Sequence, residues 1–295
     1  MRFSSLTQVY MSYTHTTVAD KRRAFQTLHE SGCFVIPNPG DAGSARFLAS
    51  VGFEALATTS AGFAWSRARP DNGVTRDMAL AHLHEMVGAT DLPLNADFES
   101  GFATAVAGVA ESVRLAVETG VAGLSIEDST GDAAHPLFDI DDAVDRIRAA
   151  RSAIDAVGGD TLLVGRSEGF IAGRPDLAET IARLQAYSNA GADCLYAPGI
   201  RTREEIAAVV AAVAPKPVNL LVGAPSEFNV QDIAALGVRR ISVGGALARS
   251  AWGGFIHAAR LLAERGSFEG LNAAARGADL NALFADSRPT ATKTA

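Results

Sequence analysis

The chain has 295 residues, of which 48% are hydrophobic, and a formal net charge of −7. This length accommodates one large α/β barrel or two ordinary domains. The acidic balance, with no basic cluster denser than Lys21, Arg22 and Arg23, argues against a nucleic-acid-binding protein, so the expected partner is a small molecule.

The N-terminal segment and the apolar runs set the expected location. Residues 1–19 are rich in Ser and Thr but have no apolar core typical of a signal peptide, so they are predicted to form an N-terminal arm. No apolar run reaches the roughly 18 to 20 residues that a membrane-spanning helix needs, and we expect a cytoplasmic protein without membrane association. Cys33 and Cys194 each lie in an apolar run and are predicted to be buried free thiols.

A recurring pattern along the chain predicts eight strands. Four times a helical segment ends at a glycine and a short apolar run follows at once, at Gly52, Gly120, Gly191 and Gly237. Glycine suits the left-handed position that ends a helix, and an uncharged run is typical of a strand buried on both faces. Four further runs of this kind begin after Gly, Pro or Asp and read CFVIPN, LPLNAD, TLLVGR and PVNLLV.

The segments between these strands have the apolar spacing of helices. They cover residues 41–51, 75–89, 103–119, 141–157, 176–190, 202–213, 226–236 and 245–265, and a further helix is predicted over 20–32. Such regular alternation indicates a parallel sheet, and eight units favour a closed (β/α)₈ TIM-type barrel over an open doubly wound sheet. No Gly-x-Gly-x-x-Gly motif follows the first strand, which argues against a dinucleotide-binding fold.

The domain organisation follows from the same pattern. No low-complexity linker divides the chain, so residues 20–265 are predicted to form a single barrel domain. Residues 266–295 are predicted to be a C-terminal extension whose end is disordered.

Oxygen-bearing side chains follow two successive predicted strands, at the end of the barrel where active sites lie. Asp97 and Glu127 supply carboxylates and Asn95 an uncharged oxygen, which are the ligands that Mg²⁺ prefers. These three residues are therefore the predicted metal ligands. No His or Cys spacing suits zinc, and His82 and His84 are expected to be exposed on a helix.

Two further features suggest an anionic substrate. Arg166 ends an otherwise apolar strand, where its planar guanidinium suits a carboxylate or phosphonate, although it could instead pair only with Glu168 or Glu127. The small residues 60–62 could turn their backbone N–H groups toward an anion, as in a nest.

Seven motifs in order along the chain resemble the isocitrate lyase/phosphoenolpyruvate mutase superfamily over about residues 30–260. They are DAGSARFL at 41–48, TTSAGFAWS at 58–66 followed by RPD at 69–71, LNADFESGF at 94–102, SIED at 125–128, GRSEGFIAG at 165–173, GADCLYAPGI at 191–200 and KPVNLL at 216–221. The resemblance implies a barrel whose last helix is exchanged between subunits of a dimer, with two dimers forming a tetramer.

The resemblance also implies a Mg²⁺-dependent reaction, with Mn²⁺ as a possible substitute, that makes or breaks a C–C or P–C bond beside an α-keto or α-hydroxy acid. By motif, the implied metal-site acids are Asp97 and Glu127, which leaves Asn95 as the uncharged ligand predicted above. The implied catalytic residues are Arg166, Asp71 and Glu127. The implied substrate-binding residues are Ser60, Ala61, Gly62, Arg166 and Asn219.

Two departures from the family pattern narrow the expected reaction. The usual Asp-x-Asp after the third strand reads Asn95-Ala96-Asp97, which removes one negative charge. The long loop after the fourth strand, whose cysteine is the acid/base of isocitrate lyases, is replaced by residues 129–137, which contain neither Cys nor Lys. An ordinary isocitrate lyase is therefore disfavoured, and His135, Tyr196 or a metal-bound water is the candidate proton donor.

The predicted function is a Mg²⁺-dependent carbon–carbon lyase or decarboxylase. Its expected substrate is a small di- or tricarboxylate, similar to oxaloacetate or methylisocitrate, that is cleaved through a metal-stabilised enolate. A first alternative is P–C chemistry on phosphonopyruvate or phosphoenolpyruvate, which the missing gating loop disfavours. A second alternative is a barrel that binds keto acids without turnover.

Overall fold

The computed structural model describes residues 16–285 and contains one eight-stranded parallel sheet. Its strand order is β1-β8-β7-β6-β5-β4-β3-β2. The N–H of Ala57 in β2 donates to the carbonyl of Pro37, just after β1, at 3.1 Å, which links the two end strands. The predicted (β/α)₈ barrel is confirmed. Its strands are β1 (Phe34–Ile36), β2 (Leu56–Ala57), β3 (Leu94–Asp97), β4 (Gly123–Glu127), β5 (Leu162–Arg166), β6 (Cys194–Tyr196), β7 (Val218–Leu221) and β8 (Arg240–Ser242).

Helices alternate with these strands as predicted. They are α1 (Val18–Glu30), α2 (Ala42–Ser50), α3 (Ser60–Ser66), α4 (Arg76–Ala89), α5 (Val106–Glu118), α6 (Ile140–Ala156), α7 (Leu177–Asn189), α8 (Arg203–Val213), α9 (Val230–Ala235), α10 (Ala246–Arg265) and α11 (Gly277–Ala285), with a 3₁₀ helix at Glu269–Ala273. Within residues 16–285, none of the helices is long and apolar enough to span a bilayer. The sequence did not predict α3, because its region was interpreted as a loop.

The glycines at the helix-to-strand junctions have the backbone that the sequence predicted. Gly52, Gly120, Gly191 and Gly237 all have φ between 87° and 109°, which residues with a side chain rarely adopt. They end the preceding helices and place the apolar runs of β2, β4, β6 and β8 directly in the sheet.

Helix α1 closes the end of the barrel opposite the strand C-termini. Phe25 is completely buried there with Phe34 and Ile36. It approaches β4 at Gly123, where a Cβ atom would lie 2.7 Å from the Phe25 ring. Arg22 donates to the carbonyls of Val117 and Val121, which fixes the helix to the α5–β4 connection.

The two ends of the chain are described only in part. Helix α1 begins at Val18, inside the stretch predicted as an N-terminal arm, and residues 1–15 lie outside the described part. The tail predicted to be disordered overlaps residues 286–295, which also lie outside it. Helix α10 differs from the other barrel helices because none of its residues is buried, and Trp252, Phe255 and Ile256 are exposed on it.

Candidate active site

The C-terminal ends of the strands surround a cavity of about 150 Å³. Asn38 organises its rim, because its Nδ2 donates to the Thr58 carbonyl at 2.9 Å and its Oδ1 accepts from Val243 and Gly244 N–H at 2.9 and 2.8 Å. One amide therefore ties together the ends of β1, β2 and β8. The polar residues lining the cavity are Asn38, Thr58, Thr59, Ser60, Asp71, Asn95, Asp97, Ser125, Arg166, Tyr196, Arg240 and Ser242.

Asp97 is held on both carboxylate oxygens. Its Oδ2 accepts from the backbone N–H and the hydroxyl of Ser60, each at 2.9 Å, and its Oδ1 accepts from Arg166 Nη1 at 3.1 Å. Its backbone N–H donates to Thr58 Oγ1 at 2.8 Å. The end of β3 is thus locked to α3 and to β5, which fixes the carboxylate at the cavity wall.

Arg166 lies among three carboxylates. Its Nη1 is 3.1 Å from Asp97 and 3.2 Å from Glu127 Oε2, and its Nε donates to Glu168. Burial alone would lower the pKa of Arg166, but Glu168 and Glu127 raise it well above its usual range. Glu127 is buried, which raises its pKa well above 4.5 although Arg166 opposes the shift. The structure brings the predicted catalytic residues Arg166 and Glu127 together. It also contains both ion pairs, with Glu127 and with Glu168, that the sequence offered as the alternative to substrate binding by Arg166.

Two more acids stand beside Asp97. Asp71 lies at the exposed rim, where Ser60 Oγ is 3.4 Å from its Oδ1, and its pKa is raised by partial burial and by Asp97. Glu99 was not predicted from the sequence. It has a left-handed φ of 48°, its buried Oε1 has no hydrogen-bond partner, and burial together with Asp97 and Asp71 raises its pKa to about 8.

The arrangement leaves a surplus of negative charge that suits a hydrated divalent cation. Asp71, Asp97, Glu99, Glu127 and Glu168 are grouped around Arg166, and four of these carboxyls have raised pKa values. Among residues 16–285, no group of three or more acidic, His or Cys side chains is spaced to bind an ion directly. Mg²⁺ keeps several waters and needs only one or two carboxylates, so the orphaned Glu99 oxygen and its neighbours fit such an ion.

The predicted amide residues lie deeper in the barrel than the acids. Asn95 lines the cavity floor, but its Oδ1 accepts from Arg240 Nη1 at 3.2 Å and its Nδ2 donates to the Ala96 carbonyl at 3.0 Å. Asn219 is completely buried, with Arg240 Nε 2.8 Å from its Oδ1 and its Nδ2 2.9 Å from Ser242 Oγ. Neither amide oxygen is free in this arrangement.

The stretch predicted as an anion-binding loop is the first turn of helix α3. Thr59 caps this helix by accepting from Gly62 N–H at 3.2 Å, and Ser60 N–H is bound to Asp97. Ser60 and Ala61 line the cavity. A helix N-terminus favours anions for the same electrostatic reason as a nest, so the anion-binding role of these residues stays a prediction on a different local structure.

Three other expectations concern His and Cys. The prediction that His82 is exposed is wrong: it is buried and stacked on Phe63 with ring centroids 3.9 Å apart, and burial lowers its pKa to about 4. His135 has a side chain 86% exposed, next to Asp132 in the short loop after β4. Cys33 and Cys194 are both free thiols, and Cys194 is fully buried whereas Cys33 is only partly so.

A buried hydrogen-bond network centred on Asp128 fixes the loop that follows β5. Asp128 accepts from the Glu168 backbone N–H at 2.7 Å, from the Tyr187 hydroxyl at 2.6 Å and from Arg183 at 3.2 Å. It therefore fixes the backbone that places Glu168 beside Arg166.

Comparison with known proteins identifies the family of the chain. The family model described as phosphoenolpyruvate phosphomutase matches residues 25–263. An oxaloacetate decarboxylase from Paraburkholderia xenovorans (strain LB400) is 32% identical over 230 residues, which is 75% of this chain and 74% of that protein.

Solved structures show the same fold. A crystal structure from Burkholderia cenocepacia J2315, itself only provisionally assigned as a lyase/mutase, has a TM-score of 0.87 at 50% identity and covers 91% of this chain and 96% of that one. A phosphonopyruvate hydrolase in complex with oxalate and Mg²⁺ has a TM-score of 0.80 at 26% identity, covering 90% and 95%.

Proposed function

Because the chain belongs to the phosphoenolpyruvate mutase/isocitrate lyase superfamily, we propose that it is a Mg²⁺-dependent carbon–carbon lyase acting on oxaloacetate or a closely related keto or hydroxy diacid. The observation that carries the proposal is the group of Asp97, Glu127 and Glu168 around Arg166 at the barrel mouth. The oxaloacetate decarboxylase among the relatives supports the choice of substrate.

The ion would be held by Asp97, with Glu99, Glu127 and Asp71 acting directly or through water. When bound, Mg²⁺ supplies a Lewis acid that polarises the keto group and stabilises the negative charge that develops on it. Mn²⁺ has the same preference for oxygen ligands and could replace it.

The protein's own residues would position the substrate and compensate its negative charge. Arg166 can extend its remaining N–H groups to a substrate carboxylate while its three acid partners prevent it from rotating. The N-terminal turn of α3, at Ser60, Ala61 and Gly62, offers the positive end of a short helix to the same anion. Asn219 would act from below the cavity floor, through Arg240 and Ser242, rather than by contacting the substrate.

A panel of acids tests the proposal. Oxaloacetate, 2-methylisocitrate and a 2,3-disubstituted malate would be assayed with Mg²⁺, with Mn²⁺ and with EDTA. We expect turnover of at least one that is lost in EDTA and restored by Mg²⁺. No metal-dependent turnover of any of them would refute the proposal.

The second candidate is P–C bond cleavage or migration, and the structural likeness to a phosphonopyruvate hydrolase favours keeping it. Phosphorus NMR of the enzyme with phosphonopyruvate and with phosphoenolpyruvate distinguishes it. Release of inorganic phosphate or interconversion of the two substrates would replace the first candidate, and an unchanged spectrum would exclude the second.

Removing the Glu99 charge provides a test of the cation site that does not depend on turnover. The raised pKa of Glu99 means that the folded state binds its proton more tightly than the unfolded state. Stability is therefore full at acid pH and falls as the pH rises from 4.5 to about 8. In EDTA, Glu99→Gln should match the wild type near pH 4 and exceed its free energy of unfolding above pH 8 by about 1 to 3 kcal/mol.

Urea unfolding at pH 4 and pH 9 measures this difference. Glu85→Gln, on the exposed face of α4, is the matched control and should follow the wild type at both pH values. Adding Mg²⁺ at high pH should stabilise the wild type more than Glu99→Gln. Identical pH dependence of wild type and Glu99→Gln would show that this carboxylate does not carry the charge surplus.

The exposed apolar side chains of α10 support exchange of this helix between subunits. Trp252 and Phe255 line an apolar groove with Phe47 and Leu48 of α2, which a second copy of the chain could fill. We expect light scattering to show a dimer or tetramer. Phe255→Glu should yield monomers, whereas Ile171→Glu, at an exposed site elsewhere, should not. A monomeric wild type would contradict the exchange.

A further inference from the structure

A buried arginine lies on the floor of the active-site cavity without an acid to neutralise it. Arg240 is 3% exposed, and its hydrogen-bond partners are the amide oxygens of Asn219 at 2.8 Å and Asn95 at 3.2 Å. No ion pair within residues 16–285 involves it. A guanidinium held by neutral dipoles in the barrel interior polarises whatever is hydrogen-bonded to it.

The hydrogen bonds that link Arg240, Asn219 and Ser242 can have only one direction. Arginine has no acceptor, so the Asn219 amide must turn its oxygen to Arg240 and its NH₂ to Ser242 Oγ, 2.9 Å away. Ser242 Oγ thus accepts from Asn219, and its own proton is free to be donated onward. The hydrogen bonds from Arg240 through Asn219 therefore leave a hydroxyl donor, that of Ser242, at the cavity wall.

Tyr196 is the next group along this line. Tyr196 is paired in register with Asn219, lines the same cavity as Ser242, and the nearby Ser242 hydroxyl lowers the pKa of its phenol although burial raises that pKa overall. Within residues 16–285 the Tyr196 hydroxyl donates to no carboxylate or carbonyl, so its proton is available to a molecule bound in the cavity. Tyr196 lines the cavity, is paired in register with Arg166, and its ring lies 5.1 Å from the Arg166 guanidinium carbon.

We propose that Tyr196 is the proton donor that quenches the enolate left by bond cleavage, and that Arg240, Asn219 and Ser242 position its hydroxyl for this step. The inference rests on the proposed lyase function and names the acid that the short loop after β4 does not supply. Arg240, Asn219 and Ser242 are positioning residues, because they act through Tyr196.

The step balances for oxaloacetate. The C3–C4 bond breaks and its electron pair passes to C3 and the C2 oxygen as CO₂ leaves. The Tyr196 O–H bond then breaks, its proton goes to C3 to give pyruvate, and a proton from water at the cavity mouth restores the phenol. One proton is consumed per turnover.

The other candidate donors are less suited. His135 is on an exposed loop and does not line the cavity. Cys194 lies within β6, fully buried, with its Sγ directed to the Leu195 carbonyl at 3.9 Å. Tyr196 has a pKa raised by burial to about 12, so it carries its proton throughout the physiological range.

Tyr196→Phe is the first test, because it removes the hydroxyl and keeps the ring beside Arg166. With oxaloacetate labelled stereospecifically at C3 and decarboxylated in heavy water, the wild type should add the deuteron to one face of C3. Tyr196→Phe should lower kcat roughly 10²-fold with KM changed less than threefold, and should add the deuteron to both faces equally. Retained facial selectivity in the variant would overturn the proposal.

Ser242→Ala tests the positioning step. It should lower kcat by about tenfold and weaken the facial selectivity, because the phenol is no longer oriented. Cys194→Ala, in the same barrel interior but outside the hydrogen-bonded chain, is the control and should keep both. Wild-type selectivity and kcat in Ser242→Ala would refute the role of the chain.

Oxalate binding separates failure of this inference from failure of the proposed function. Oxalate is planar and dianionic like the enolate, so the Tyr196 hydroxyl should donate to it without any turnover. In calorimetry with Mg²⁺, we expect oxalate to bind Tyr196→Phe about tenfold more weakly than wild type. Equal affinity would overturn the inference even if the wild type cleaves oxaloacetate.

Discussion

Asp97→Asn is expected to lower kcat/KM for the cleaved acid on the order of 10³-fold. One Asp97 carboxylate oxygen accepts from Ser60 and the other accepts from Arg166. In Asp97→Asn the amide NH₂ would replace one of these oxygens and face a donor instead of accepting from it. The substitution also takes away an acid that is proposed to hold the cation. Initial rates at saturating Mg²⁺ and a calorimetric titration with Mg²⁺ measure the two losses separately.

Asp145→Asn is the matched control for this result. Asp145 lies on α6, is 56% exposed and pairs with Arg148 at 3.0 Å, so it loses the same chemical group from a solvated ion pair. Such pairs contribute little to stability, and wild-type rates are expected. An Asp97→Asn enzyme that retained more than a tenth of wild-type kcat/KM would show that Asp97 is structural.

The barrel and the principal acids could be predicted because each depends on a local signal. At Gly120 and Gly191 a glycine with positive φ ends a helix, and the strand that follows is largely apolar because both of its faces are covered. In a barrel the last residue of every strand reaches the mouth. Asp97 and Arg166 therefore come together at 3.1 Å although 69 residues separate them in the chain.

The features that were not predicted depend on contacts between distant segments. Glu99 stands two residues beyond β3, where a left-handed turn brings it back beside Asp97, and only the spacing Asp97-x-Glu99 could have pointed to it. Arg240 begins β8 in a run that looks like any strand start, and its interior position depends on Asn95 and Asn219 from two other strands. His82 lies on a helix of weak amphipathic pattern, so its buried face was not recognisable.

Arg166→Met is expected to abolish turnover and to destabilise the fold. The change leaves Glu127 and Glu168 buried without the cation that pairs with both. Removing one partner of a buried ion pair costs about 3 to 5 kcal/mol, because the remaining charge is neither hydrated nor compensated. Arg166→Lys keeps the charge but not the planar fork, so it should recover most of the stability and little of the activity. Urea unfolding and initial rates on the two variants separate these contributions.

The stability deficit of Arg166→Met should depend on pH in a defined direction. Burial already raises the pKa of Glu127 above 4.5, and Arg166 opposes that rise. Without the arginine the pKa rises further, so the folded state holds the proton more tightly than the unfolded state and loses stability as the pH increases beyond the ordinary carboxyl range. The deficit relative to wild type, measured in EDTA, should be smallest near pH 4.5 and grow toward neutrality. A deficit that stays constant from pH 4.5 to 8 would mean that Glu127 and Glu168 lose packing rather than charge compensation when Arg166 is removed.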